Sequence, residues 1–98
     1  MDAQSFETFE AEAMAAGFDE VIERTWESGL ALDMHSHQFD VESVVVRGEM
    51  WLTCDGNTRH LMPGQGFALA ADEPHSERYG PQGATTWIAR RHVAGAGR

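Results

Sequence analysis

His35 and His37 are separated by one residue, Glu42 follows after four more, and a third histidine, His75, sits directly behind Pro74. Residues i and i+2 of a β-strand share one face, so the His35 and His37 imidazoles can converge on a point without any loop rearrangement. A metal ion suits that convergence. Three neutral imidazoles, with or without one carboxylate, fit Zn²⁺, Ni²⁺, Fe²⁺, Mn²⁺ or Cu²⁺, and no soft thiolate selects among them. Three protein ligands leave open positions for water or substrate, as catalytic metal sites do. Such an ion polarises a carbonyl or acidifies a bound water, and iron adds dioxygen activation.

Which carboxylate joins the set is open. Residues 35, 37 and 41 share a parity that Glu42 lacks, so only a bulge or loop between His37 and Ser43 turns Glu42 inward. Otherwise Glu42 is an exposed strand charge. Asp40, before the strand, and Glu77, two residues beyond His75 and on its face, are the alternatives; a solvated or ion-paired role is the plainer one for Glu77. Tyr79 is a further pocket candidate. Glu77 and Tyr79 offer acid–base groups by position only, so no catalytic residue is assigned. His60, next to Arg59, reads as a surface residue. Trp26, Trp51 and Trp87 read as core or dimer packing before pocket lining. A phosphate-binding glycine loop, a nucleophile elbow and a zinc-finger cysteine set are all missing.

These residues need a scaffold of short strands. Ser5 is a plausible N-cap for a helix running to Ala16, with Phe6, Phe9 and Ala13 as its apolar stripe and Gly17 as its stop. From Phe18 onward, strands are expected at 21–26, 30–37, 43–47, 49–54, 58–61, 67–70, 75–79 and 85–91. Asp55-Gly56-Asn57 signals a hairpin, and Pro63-Gly64-Gln65-Gly66 and Gly80-Pro81-Gln82-Gly83 signal turns. About eight short strands with frequent turns point to an all-β sandwich or barrel. The expected organisation is a helix over 1–17, a β-barrel over 18–93 and a disordered tail over 94–98.

Composition narrows the function. A chain of 98 residues, 42% hydrophobic, makes one small domain with little stability to spare, so a homodimer is expected. The net charge of −9 argues against nucleic acid, which needs a basic footprint. Arg90 and Arg91, side by side near the C-terminus, read as solvated. The single cysteine, Cys54, excludes an internal disulfide, fits a reducing compartment and reads as a small strand residue. Neither an apolar run of about 20 residues nor a signal-peptide pattern is present. A cytoplasmic protein that binds no membrane is the expectation.

Gly29, His35, His37, Glu42 and Gly48 resemble the first motif of the cupin superfamily, and Gly56, Pro63-Gly64-Gln65-Gly66 and His75 resemble its second. Segments such as His35-Ser-His37-Gln-Phe-Asp40 and Pro74-His-Ser-Glu77-Arg-Tyr-Gly80 look like a group of short, single-domain bacterial cupins, most without an assigned activity. The resemblance implies an all-β fold, the cupin-type double-stranded β-helix or jelly-roll barrel. It also implies a divalent metal inside, held by His35, His37, a carboxylate and His75. Two positions depart from the family. The Glu42–Gly48 interval is one residue short, so counting back from Gly48 puts Val41 at the carboxylate position. Tyr79 stands where the second motif often has Asn. The implied function is a metal-binding cupin domain that takes a small molecule, similar to the sugar-binding domains of bacterial regulators. A small metal-dependent oxygenase, isomerase or lyase on a small polar substrate is the first alternative, and a structural homodimer with a vestigial site the second.

Overall fold

The computed structural model describes residues 5–92. The expected tail, residues 94–98, lies outside them. Helix α1, Phe6–Ala15, is capped as its sequence predicts: the Ser5 side chain accepts a hydrogen bond from the Thr8 N–H. At its other end Gly17 takes a φ of 98°, and the Gly17 and Phe18 N–H groups donate back to the Met14 and Ala13 carbonyls. That is the Schellman closure, which a residue with a Cβ would strain.

Six strands follow: β1 (Glu20–Trp26), β2 (Ala31–His35), β3 (Phe39–Cys54), β4 (Asn57–Leu61), β5 (Gly66–Leu69) and β6 (His75–His92). The eight expected segments are therefore six, because 43–47 and 49–54 join into β3, and 75–79 and 85–91 join into β6. The turn expected at Gly80–Gly83 is instead a bulge within a continuous ladder. Gly48 pairs with Ala84 and Met50 with Tyr79, so four residues of β6 stand opposite Glu49 alone. A bulge bends a strand and raises its twist without ending its pairing.

The antiparallel β3–β6 pair thus forms a long bent ribbon. On one side of the bend, β1 pairs with residues 84–90 of β6 and β5 pairs with Val41–Val44 of β3. On the other, β2 pairs with the start of β6 and β4 with the end of β3. Two four-stranded layers result, facing each other as the double-stranded β-helix requires. The inward residues alternate along each strand, and Val41, Val45, Met50, Leu52, Leu61, Leu69, Tyr79 and Ile88 fill the space between the layers. The β3–β4 connection is the expected hairpin, with positive φ at both Asp55 and Gly56.

The helix lies on the outside. Phe9 and Ala13 pack on Trp87 and Ala89, and Phe6 meets the Trp87 ring edge-on at 5.6 Å. The Trp87 indole N–H donates to Glu23 at 2.9 Å. The apolar stripe of α1 is accordingly core packing, as read.

The bend depends on two glycines with left-handed φ, Gly48 at 77° and Gly83 at 71°. A Cβ on Gly48 would run into the Gly83 carbonyl oxygen, and one on Gly83 into the Trp26 carbonyl oxygen. Gly48→Ala and Gly83→Ala should each cost well over ~1 kcal/mol, because strain and collision add. Gly56, also at positive φ but with open space around the missing Cβ, should lose less on the same change. Urea denaturation of the three variants measures this order.

Candidate metal centre

Three elements bring the histidines together. His35 ends β2 and pairs across the sheet with His75, the first residue of β6. His37 lies beyond the end of β2, where the expected strand 30–37 stops short. Its carbonyl accepts the Asp72 N–H at 2.6 Å, while the Ala71 N–H donates to Asp40 at 2.8 Å. The loop before β6 is thereby latched to His37 and to the start of β3, which sets His37 against His75. Ring centroids are 4.3 Å apart for His35–His75, 4.9 Å for His35–His37 and 5.2 Å for His37–His75. One donor atom from each of the three lies within 4.8 Å of the others.

The protonation of two rings is fixed locally. His35 Nδ1 lies 2.6 Å from the Asp33 carbonyl oxygen and His75 Nδ1 lies 3.0 Å from that of Glu73. A carbonyl only accepts, so Nδ1 carries the hydrogen and the neutral ring keeps its lone pair on Nε2. Metal-bound histidines are oriented in this manner. His75 is 1% exposed, and its Nε2 has no hydrogen-bond partner. Glu77 Oε2 stands 3.2 Å from it but out of line for a hydrogen bond. A buried nitrogen left with a lone pair and no donor fits a metal ligand.

Glu77 is the carboxylate that the fold delivers. Its Oε2 is 3.4 Å from His35 Nε2 as well, and its side chain is 9% exposed. The Tyr79 hydroxyl donates to its other oxygen. Burial, and after it the Glu77 charge, push the Tyr79 phenol far above its ordinary range, so Tyr79 is a donor and not a base. Tyr79 in turn stacks on Trp26 at 4.7 Å. Burial chiefly, then the neighbouring His35 and His75, lower the His37 pKa and favour its neutral, ligating form.

The other candidates lie elsewhere. Glu42 is exposed on the outer face, beside Phe9 and Ala13 of the helix. Pairing on both sides of β3 is regular from Val41 to Val44, so nothing there turns it inward, and Val41 takes the inner position. Asp40 is held by the Ala71 N–H and by the Arg91 guanidinium at 2.9 Å, which together keep its carboxyl below the usual range. It is a structural latch. His60 is at the surface, stacked on Trp51 at 4.6 Å and hydrogen-bonded to Glu49. Cys54 is a half-buried strand residue whose thiol donates to Glu73, a bond that raises its pKa.

The cavity above the histidines holds about 190 Å³ and includes Trp26, Leu32, Phe39, Ile88, Arg24 and Arg90 in its lining. Trp26 packs against the core, as expected, and also walls this pocket. Arg90 was expected in solvent and instead points inward. Its signal was parity with Thr86 and Ile88, as Arg24 shares parity with Ile22 and Trp26; both become legible only once the inner face is known.

Residues 18–91 match the AraC-like ligand binding domain family. The chain belongs to that family. Its fold is shared by solved structures, cupins among them. A structure of the DMSP lyases RdDddP and RnDddQII is similar at 26% identity and a TM-score of 0.69, over 80% of this chain and 40% of that one. The chain thus spans about two fifths of that relative. An RmlC-like cupin from Shewanella frigidimarina is similar at 21% identity and a TM-score of 0.67, over 76% of this chain and 67% of that one. KdgF from a Halomonas species is similar at 20% identity and a TM-score of 0.64, over 74% and 68% respectively. No curated protein matches the sequence. Among the described residues no helix is long and apolar enough to cross a membrane.

Two outcomes follow from this geometry. Tyr79→Phe removes the donor that holds Glu77 and should cost about 1–3 kcal/mol in urea denaturation. For the metal-free protein, the lowered His37 pKa means that the unfolded chain takes up a proton before the folded one. The contribution of His37 to stability is then complete above its ordinary pKa of about 6.5 and is lost as the pH falls below it. Urea midpoints across that window should fall with acid, and less steeply in His37→Gln.

Proposed function

We propose that this domain holds a divalent metal ion through His35, His37 and His75, with Glu77 as the adjoining carboxylate, and offers it to a small molecule in the cavity. The observation that carries this reading is the buried His75 Nε2, without a hydrogen-bond partner, among imidazole donors within 4.8 Å of one another. Zn, Ni, Fe, Mn and Cu all accept such donors. When bound, the ion would supply Lewis acidity at the cavity floor. The chain's own residues do the rest. The carbonyls of Asp33 and Glu73 aim two rings, Tyr79 fixes Glu77, and Leu32, Phe39 and Ile88 keep the walls apolar. The ligand-binding character of the matched family supports a binding module.

A metal-dependent enzyme, a lyase foremost, is the second reading, supported by the likeness to the DMSP lyase structure. Glu77 would then hold or release a proton beside the metal, with Tyr79 tuning it. A homodimer and a cytoplasmic location are also part of the proposal. The exposed apolar side chains of Met14, Met34 and Met62 support the first, and the free Cys54 supports the second.

Protein purified without a histidine tag and supplied with metal should carry about one ion per chain by elemental analysis. His35→Ala, His37→Ala and His75→Ala should each lose most of it. Wild type without metal, or variants with unchanged content, would sink the metal reading and leave a structural domain. A binding module shows ligand-dependent melting shifts without turnover; an enzyme consumes substrate, and the histidine variants do not.

A further inference from the structure

Two guanidinium groups share the cavity with the histidines. Arg24, on β1, stacks over the Trp26 ring at 4.1 Å, and Arg90, on β6, stands over Phe39 at 5.1 Å. Trp26 lies against Tyr79, the partner of Glu77, whereas Phe39 stacks on His37 at 4.9 Å. Each cation is thus one aromatic ring away from a residue of the site, Arg24 through Trp26 to Tyr79 and Arg90 through Phe39 to His37.

Neither cation is used up by the fold. Arg24 has no hydrogen bond or carboxylate partner among the described residues. Arg90 has one long contact, Nη1 to Glu20 at 3.5 Å, and its Nε is buried with no partner. The adjacent Arg91 differs: Nε and Nη2 both donate to Asp40, at 3.1 and 2.9 Å. A buried guanidinium N–H without an acceptor is costly, and the planar fork matches a carboxylate.

We propose that Arg24 and Arg90 hold a small organic carboxylate against the metal centre, a proposal that rests on the metal-binding reading above. The cavity of about 190 Å³ falls below the roughly 300–1,000 Å³ of pockets for drug-sized ligands, so the ligand is a small acid. Its tail lies against Leu32, Phe39 and Ile88. A carboxylate suits the site better than a phosphate because Glu77, in the same cavity, repels a dianion more strongly than a monoanion. In a chain of net charge −9, Arg90 within the cavity and Arg24 at its exposed edge, beside the proposed divalent ion, make the pocket the place where an anion is attracted.

The test is calorimetric titration of metal-loaded, full-length protein with propionate, lactate, pyruvate and succinate. Propionamide and lactamide serve as neutral counterparts, and metal content is measured in every sample. At least one acid should bind, its amide should not, and Arg24→Gln and Arg90→Gln should each weaken binding about tenfold or more while keeping the metal. Retained metal with no acid bound, with amides bound as well as acids, or with both arginine variants unaffected would overturn the carboxylate assignment and leave the metal reading intact. A wild-type protein that takes up no metal fails the earlier reading instead. Near-ultraviolet circular dichroism of the arginine variants separates lost recognition from lost fold.

Discussion

The bend in the β3–β6 ribbon is the constraint on which the rest of the structure depends. Strands of 16 and 18 residues, paired antiparallel, would be a flat two-sided ribbon with nothing to bury. Folding the ribbon across its middle turns its inner faces toward each other, and each half then recruits two short strands. The fold needs backbone conformations that only glycine takes readily, at Gly48 and Gly83, and contact between backbones too close for a Cβ. The same bend decides the site. His75 at one end of β6 and Arg90 near the other lie 15 residues apart along one strand, yet both line a single cavity.

Within that frame, the histidines are set by short-range devices. His35 and His75 each address the carbonyl two residues earlier in the chain, so the tautomer of each ring follows from its own stretch of backbone. Only their convergence is tertiary, and it comes from the direct β2–β6 pairing of His35 with His75. His37 is the exception. It lies outside a strand and depends on the latch formed by Asp72, Ala71 and Asp40, itself anchored by Arg91. Asp40, a rival for the carboxylate ligand by sequence, serves the site by holding its frame.

What was legible follows the same division. The Ser5 cap, the Gly17 stop and the Asp55-Gly56 hairpin are local signals, and the structure realises each of them; the three histidines also meet, but His37 joins from beyond the strand rather than along it. Parity spoke against Glu42 and put Glu77 on the face of His75, but it left the choice of carboxylate open. The strand count was not legible, because Gly80-Pro81-Gln82-Gly83 carries turn residues whether the chain reverses or bulges. Only the pairing on both sides distinguishes the two. Arg24 and Arg90 were illegible for a different reason. An arginine on a strand reads as solvated until a cavity is known to lie on its side.

Those arginines change how the charge of the chain should be read. A net charge of −9 describes the outer surface, where most acidic side chains meet water and counterions screen them. Around the cavity the balance is reversed: Glu77 is one negative group against Arg90, Arg24 at the exposed edge, and the divalent ion proposed for the histidines. Low-dielectric walls of Leu32, Phe39 and Ile88 let those few charges act more strongly than the many outside. The histidine spacing that drew attention to this chain thus describes half of the site. The other half is cationic, comes from the far layer, and is the ground on which the proposed carboxylate ligand rests.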